Sequence, residues 1–186
     1  FKSWTVLLAV CAFSLSLLGT FLTRSGVLLS VHSFASDPAR GLFILGLLVL
    51  YSGGAFVLYA LRAKHMVAEG GFKLFSREAF LLANNILLVV ATGAILLGTL
   101  FPLFLSSLGL GEISVGRPWF DITISLLMLP LAWLLGYGMH AAWKNASSAA
   151  LEQRLALPAA LAIVFGTTLP WLIFGRATVL AMIGLV

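Results

Sequence analysis

The stretch Gly19–Gly41, GTFLTRSGVLLSVHSFASDPARG, separates two apolar runs, Trp4–Leu22 and Leu42–Leu61. Each run has the length of about 20 residues that a helix needs to cross a hydrocarbon core of about 30 Å. The stretch between them gathers Arg24, His32, Asp37 and Arg40, and Asp37 is the only acid in the first sixty residues. This reads as a polar turn between two membrane-crossing helices. Ser36-Asp37-Pro38 supports it with an N-cap residue followed by proline at a first helical position, a start signal for the second helix.

The rest of the chain repeats the theme. Of 186 residues 61% are hydrophobic and 9% charged, and the mean hydropathy is +1.12. A soluble domain has about 45–50% apolar and about 25% charged residues, so these values define an integral membrane protein. Three further runs, Phe80–Leu103, Ile122–Trp143 and Leu157–Phe174, reach spanning length, and a sixth begins near Ala177. No run alternates apolar and polar residues as a membrane strand does. The expected fold is therefore all-α, a polytopic transmembrane bundle of about five complete spans plus a truncated sixth. It forms one helical region over 1–186. The first residue is Phe1, the last ten residues are apolar, and no signal peptide is visible. We therefore read the chain as a fragment of a larger membrane protein.

Charge sets an orientation. Lys2, Arg62, Lys64, Lys73, Arg77, Lys144 and Arg154 fall on one side, and Arg24, Arg40, Arg117 and Arg176 on the other. The positive-inside rule makes the first side cytoplasmic, so segments 23–41 and 106–120 face outward. The net charge of +5 is topological and gives no reason to expect nucleic acid. Cys11, the single cysteine, has no partner for a disulfide and sits as a small apolar residue. Pro118-Trp119-Phe120-Asp121 offers interfacial aromatics and a cap for the fourth span, Glu78 suits the start of the third, and Pro130 and Pro170 are expected to kink their helices. His65 reads as a solvated loop residue and His140 as an interfacial anchor. Asn84 and Asn85 suggest hydrogen bonds between helices.

If residues 25–36 form a short outer helix, turning about 100° per residue, Val27, Val31, Phe34 and Ala35 share one face. Gly26, Ser30 and Ser33 lie opposite, and His32 sits at the edge of the apolar face, on the side of Leu28. That is the pattern of a helix lying in the membrane interface. Imidazole is a good iron ligand. An isolated interfacial histidine is still more often structural than a ligand. Arg40 falls in the first turn of the second span, where the positive helix end disfavours a cation. Its charge calls for a nearby anion, either Asp37 or a carboxylate or phosphate on a ligand. The pattern suits a flat, apolar, metal-bearing molecule with acidic edges. Haem is one such molecule, although composition and spacing do not single it out.

Three stretches carry a resemblance. SLLGTFLTRSGVLLSVHSFASDPARGLFIL, FSREAFLLANNILLVVATGAILLGTLFPL and GEISVGRPWFD, in this order and within about Ser14 to Asp121, closely resemble the CcmF family of cytochrome c-type biogenesis proteins, NrfE-like relatives included. The resemblance implies a haem-handling protein of the bacterial inner (cytoplasmic) membrane. It implies haem received from the chaperone CcmE and, with CcmH, joined by thioether bonds to the CxxCH cysteines of apocytochrome c. On it, His32 matches an outer-face axial ligand of the substrate haem. A second, structural b-type haem is expected only in the full-length protein. Arg24, Asp37 and Arg40 belong to the matching signature, and their role toward haem propionates is our hypothesis. A tryptophan-rich outer segment and the three other histidine ligands of the family have no counterpart in these 186 residues. Neither His65 nor His140 matches a ligand position.

No general acid or base is evident, so the enzymatic role implied is that of a haem lyase subunit acting within a complex. The segment alone is not expected to be active. The rival readings are a transporter of haem or another organic anion, and a purely structural subunit. The absence of charge from the middle of every span argues against ion-coupled transport.

Overall fold

The computed structural model describes residues 2–27, 37–66, 71 and 73–175. Among these the secondary structure is helical throughout. Five helical segments are long and apolar enough to cross a membrane. Their outward side chains are greasy, with Leu172 80% and Phe43 69% exposed. A helical exterior of this kind is solvated by lipid or by other helices. The chain is a multi-pass membrane protein. It divides into two compact units, Phe1–Gly70 and Gly71–Val186.

In the first unit α1 runs Lys2–Ser25 and α2 runs Pro38–Leu47. A π-helical turn, Leu48–Gly53, continues α2 into α3, Gly54–Arg62, and a 3₁₀ turn, Ala63–His65, closes the span. The hairpin is antiparallel, since Ser25 meets Gly41 at one end and Ser3 Oγ lies 2.8 Å from Tyr59 Oη at the other. The half-buried positions of α1 follow a period of about 3.5: Ser3, Leu7, Cys11, Ser14 and Leu18 are among them. Small residues on that stripe let the helices approach, the usual substitute for a hydrophobic driving force within a membrane.

In the second unit α4 runs Arg77–Ser107, α5 Arg117–His140 and α6 Ser148–Phe174. Ser76 is fully buried and caps α4: its Oγ accepts from Ala79 N at 3.2 Å and donates to Lys73 O at 2.7 Å. The same end is laced to the α5–α6 connection. Arg77 N donates to Ala142 O and Ala146 N to Phe75 O, and the Arg77 guanidinium stands 5.1 Å over the Trp143 ring. Phe80 adds ring contacts to Phe75 and Tyr137. At the far end Trp119 lies on α4, its Nε1 donating to Ala94 O. Gly98 makes room for it, because a Cβ there would lie 2.7 Å from Trp119 Nε1. An apolar groove of about 260 Å³ runs between Trp133 and Tyr137 of α5 and Pro158 and Ala162 of α6.

The helices outrun the apolar spans read from the sequence. At 1.5 Å per residue, the 31 residues of α4 extend about 46 Å, beyond the hydrocarbon core. The fourth span begins at Arg117 rather than Ile122, capped by Gly116. Asp121 is not its cap but lies inside the helix, 3.5 Å from Arg117. It ends at His140, leaving Trp143 in the connection. The fifth begins at Ser148, nine residues before Leu157, because Ser147 caps the helix ahead of the polar Glu152-Gln153-Arg154. Pro158 therefore falls within α6. Gly175, at φ 64°, closes that helix, and the sixth span lies outside the described residues.

Basic residues segregate within each unit as membrane topology requires. Lys2, Arg62 and Lys64 sit at one end of the first hairpin, and Arg24 and Arg40 at the other. Lys73, Arg77, Lys144 and Arg154 gather at one end of the second unit, with Arg117 opposite.

Candidate functional site

The candidate site is the α1–α2 corner. α1 stops at Ser25 because Gly26 takes φ 75°, a left-handed conformation that glycine adopts without steric cost. Ser25 is thus the last residue of α1, and Gly26 and Val27, the only other described residues of the outer helix expected near 25–36, are not helical. The remainder of that expected helix, 28–36, lies outside the described residues, and with it His32.

The chain returns at Asp37. Its backbone N–H donates to Arg24 O at 2.8 Å, which joins the end of α1 to the start of α2. Asp37 is the N-cap of α2, in extended backbone, with Pro38 after it. Its Oδ1 accepts from Arg40 N at 3.2 Å, and its Oδ2 lies 3.2 Å from Arg40 Nε. One carboxylate thus satisfies a free helix N–H and neutralises the cation that the helix end disfavours. The anion that Arg40 called for is Asp37. The pair is exposed, the Arg40 side chain at 71% and Asp37 at 38%, so it orients more than it stabilises.

The corner closes because Gly41 is buried against α1. A Cβ there would lie 2.8 Å from Ser25 Cα, closer than any side chain can sit. Neither Gly26 nor Gly41 stood out in the sequence as part of the site. A glycine four residues beyond the predicted end of the first span was the available signal for Gly26.

Of the four residues expected at the site, the structure brings Arg24, Asp37 and Arg40 to one end of the hairpin. His65 and His140 are both exposed; His65 ends the 3₁₀ turn after α3, at the other end of the first hairpin, and His140 ends α5 in the second unit. Among the described residues no three His, Cys, Asp or Glu side chains converge in a way that could hold a metal ion.

Sequence comparison decides the family. The chain is 48% identical over 185 residues to the cytochrome c-type biogenesis protein CcmF of Escherichia coli, covering all of this chain and 29% of that protein. It is 55% identical over 163 residues to the cytochrome c-type biogenesis protein CycK of Rhizobium meliloti, covering 88% and 24%. The chain belongs to the CcmF family. A relative named NrfE in Haemophilus influenzae is also similar, 42% identical over 122 residues. No family model and no solved structure matches. This CcmF-family chain spans about a quarter of the length of the curated relatives it matches. The Arg24–Arg40 corner and the α4 and α5 starts at Arg77 and Arg117 lie within the stretches on which the family resemblance rests.

Proposed function

We propose that the chain is the part of a cytochrome c maturation protein that presents His32 to substrate haem at the outer face of the bacterial inner membrane. In this reading CcmE delivers the haem, His32 supplies one axial ligand, and the protein acts with CcmH as a haem lyase. It holds the haem while thioether bonds form to the CxxCH cysteines of apocytochrome c. The observation that carries the reading is the Arg24–Asp37 bond of 2.8 Å. It ties together the two ends of the segment that contains His32, and a ligand on a segment fixed at both ends loses less freedom on binding.

The donor set suits haem. A propionate is a carboxylate, and the corner offers it arginine, the side chain best matched to that geometry. Because Asp37 already neutralises part of the Arg40 charge, the corner attracts an anion without a large uncompensated field. A bare metal ion would lack donors at this corner. Haem brings its own four equatorial nitrogens and asks the protein only for axial ligands. When bound, it supplies the iron centre and the vinyl groups that receive the cysteine sulfurs. The task left to this chain is positional. Arg24 and Arg40 hold the propionate edge, Asp37 fixes Arg40, and His32 fixes the iron, so the vinyl groups are presented in one plane.

The positive-inside charge pattern supports the periplasmic assignment of 23–41 and 106–120. Transport of haem or another organic anion is less well supported, since charged residues occur only near the ends of the described spans. Complementation tests the proposal. The full-length protein carrying His32→Ala should fail to support cytochrome c maturation, with partial rescue by added imidazole. Undiminished maturation would remove His32 from the mechanism.

A further inference from the structure

Two turns inside α4, Asn84 departs from expectation. Its Oδ1 is buried and meets no hydrogen-bond donor among the described residues. The interhelical bond anticipated for this oxygen is not made. A buried acceptor left unpaired costs about 1–3 kcal/mol, so what surrounds it matters. Asn84 lines a cavity of about 70 Å³ between α4 and α5, walled by Phe80, Leu134, Gly138 and Met139. Gly138 keeps the space open on the α5 side, where a Cβ would already touch Phe80 Cβ at 3.4 Å. The other polar side chain on the wall is Arg77, seven residues earlier and so on the same face of α4.

The two polar ends of the cavity are chemically opposite. The Arg77 guanidinium only donates, and Asn84 Oδ1 only accepts. A group connecting them must accept at one end and donate at the other. An anion cannot donate to Oδ1, and a cation cannot accept from the guanidinium. Water does both. Measured as room for water centres, about 10–15 Å³ suffices for one molecule, so the space admits several. The two turns of helix between the residues, about 10 Å of rise, need more than one. The geometry points to a short chain of waters bound between Arg77 and Asn84, a hydration site within the α4–α5 seam. Trp143 stacks against the guanidinium and limits its directions.

The test uses the full-length protein in lipid nanodiscs, at a resolution that shows ordered water. Peaks are expected within hydrogen-bonding distance of Asn84 Oδ1 and of an Arg77 nitrogen. They should vanish in Asn84→Leu, which matches the shape without the acceptor. Asn84→Leu should also lower the melting temperature by a few degrees, because it breaks a satisfied chain. A dry cavity in a map that resolves other internal waters overturns the inference. So does lipid or protein density filling the cavity, or a higher melting temperature for Asn84→Leu, the signature of relieving an unpaired acceptor.

Discussion

The amide of Asp37 donates to the carbonyl of Arg24 across 2.8 Å, and through that bond the first two membrane-crossing helices are joined at one end of their hairpin. The carboxylate of the same residue caps α2 and pairs with Arg40. Asp37 therefore serves the corner twice, its backbone joining the two helices and its side chain capping α2 and directing the arginine at the edge.

Separating these roles is straightforward. Asp37→Ala removes cap and ion pair and should cost about 1 kcal/mol, most of it from the cap. Asp37→Asn keeps a capping oxygen and should lie within a few tenths of wild type in thermal unfolding. Haem retention should fall for both, because neither orients Arg40 by charge.

Gly41 gives a sharper structural prediction. Gly41→Ala places a Cβ 2.8 Å from Ser25 Cα, backbone that cannot yield without parting the hairpin. It should destabilise by about 1–3 kcal/mol, the range for overpacking a tight contact. Gly46→Ala in the same helix meets nothing within 4 Å. It should be neutral or stabilise by up to about 1 kcal/mol. Paired melting curves in one detergent compare them directly.

In the second unit, Ser76→Ala removes a fully buried cap and leaves Lys73 O and Ala79 N without this partner. A loss of about 1–2 kcal/mol is expected. Ser76→Thr should restore part of it if the methyl is accommodated. Hydrogen exchange at the first turn of α4 should speed up in the alanine variant and not in α6.

Arg40 tests the electrostatic part of the proposal. Arg40→Lys should retain more haem than Arg40→Gln, though less than wild type, since a lysine cannot reproduce the bidentate fork. Equal losses for the two variants would assign Arg40 a packing role.

Different features were legible in the sequence for different physical reasons. Spans were readable because hydropathy acts over some twenty residues, and Asp37 because an Asp-Pro pair is a local cap signal. Helix ends were not. α6 starts ahead of its apolar run, through the polar Glu152-Gln153-Arg154, because Ser147 caps it, and hydropathy cannot see a helix beyond the apolar core. The π turn at Leu48–Gly53 differs from α-helix by one residue in register, with no compositional mark beyond the Gly53–Gly54 pair. Gly41 and Gly98 needed the partner helix to reveal why only hydrogen fits. The Asn84 oxygen shows the converse: its residue type suggested an interhelical bond, but the cavity facing it is set by Gly138 across the seam. The metal ligand expected at the site, His32, rests on the family resemblance and lies outside the described residues, whereas its flanking partners Arg24, Asp37 and Arg40 do come together.

The central claim is that His32 ligates haem iron at the outer face, and it is tested most directly on purified full-length protein. Haem stoichiometry and the spectrum of the reduced protein are compared for wild type, His32→Ala, His65→Ala and His140→Ala. His32→Ala alone is expected to lose the substrate haem, with imidazole restoring a six-coordinate spectrum. Full haem occupancy and an unaltered spectrum in His32→Ala would contradict it.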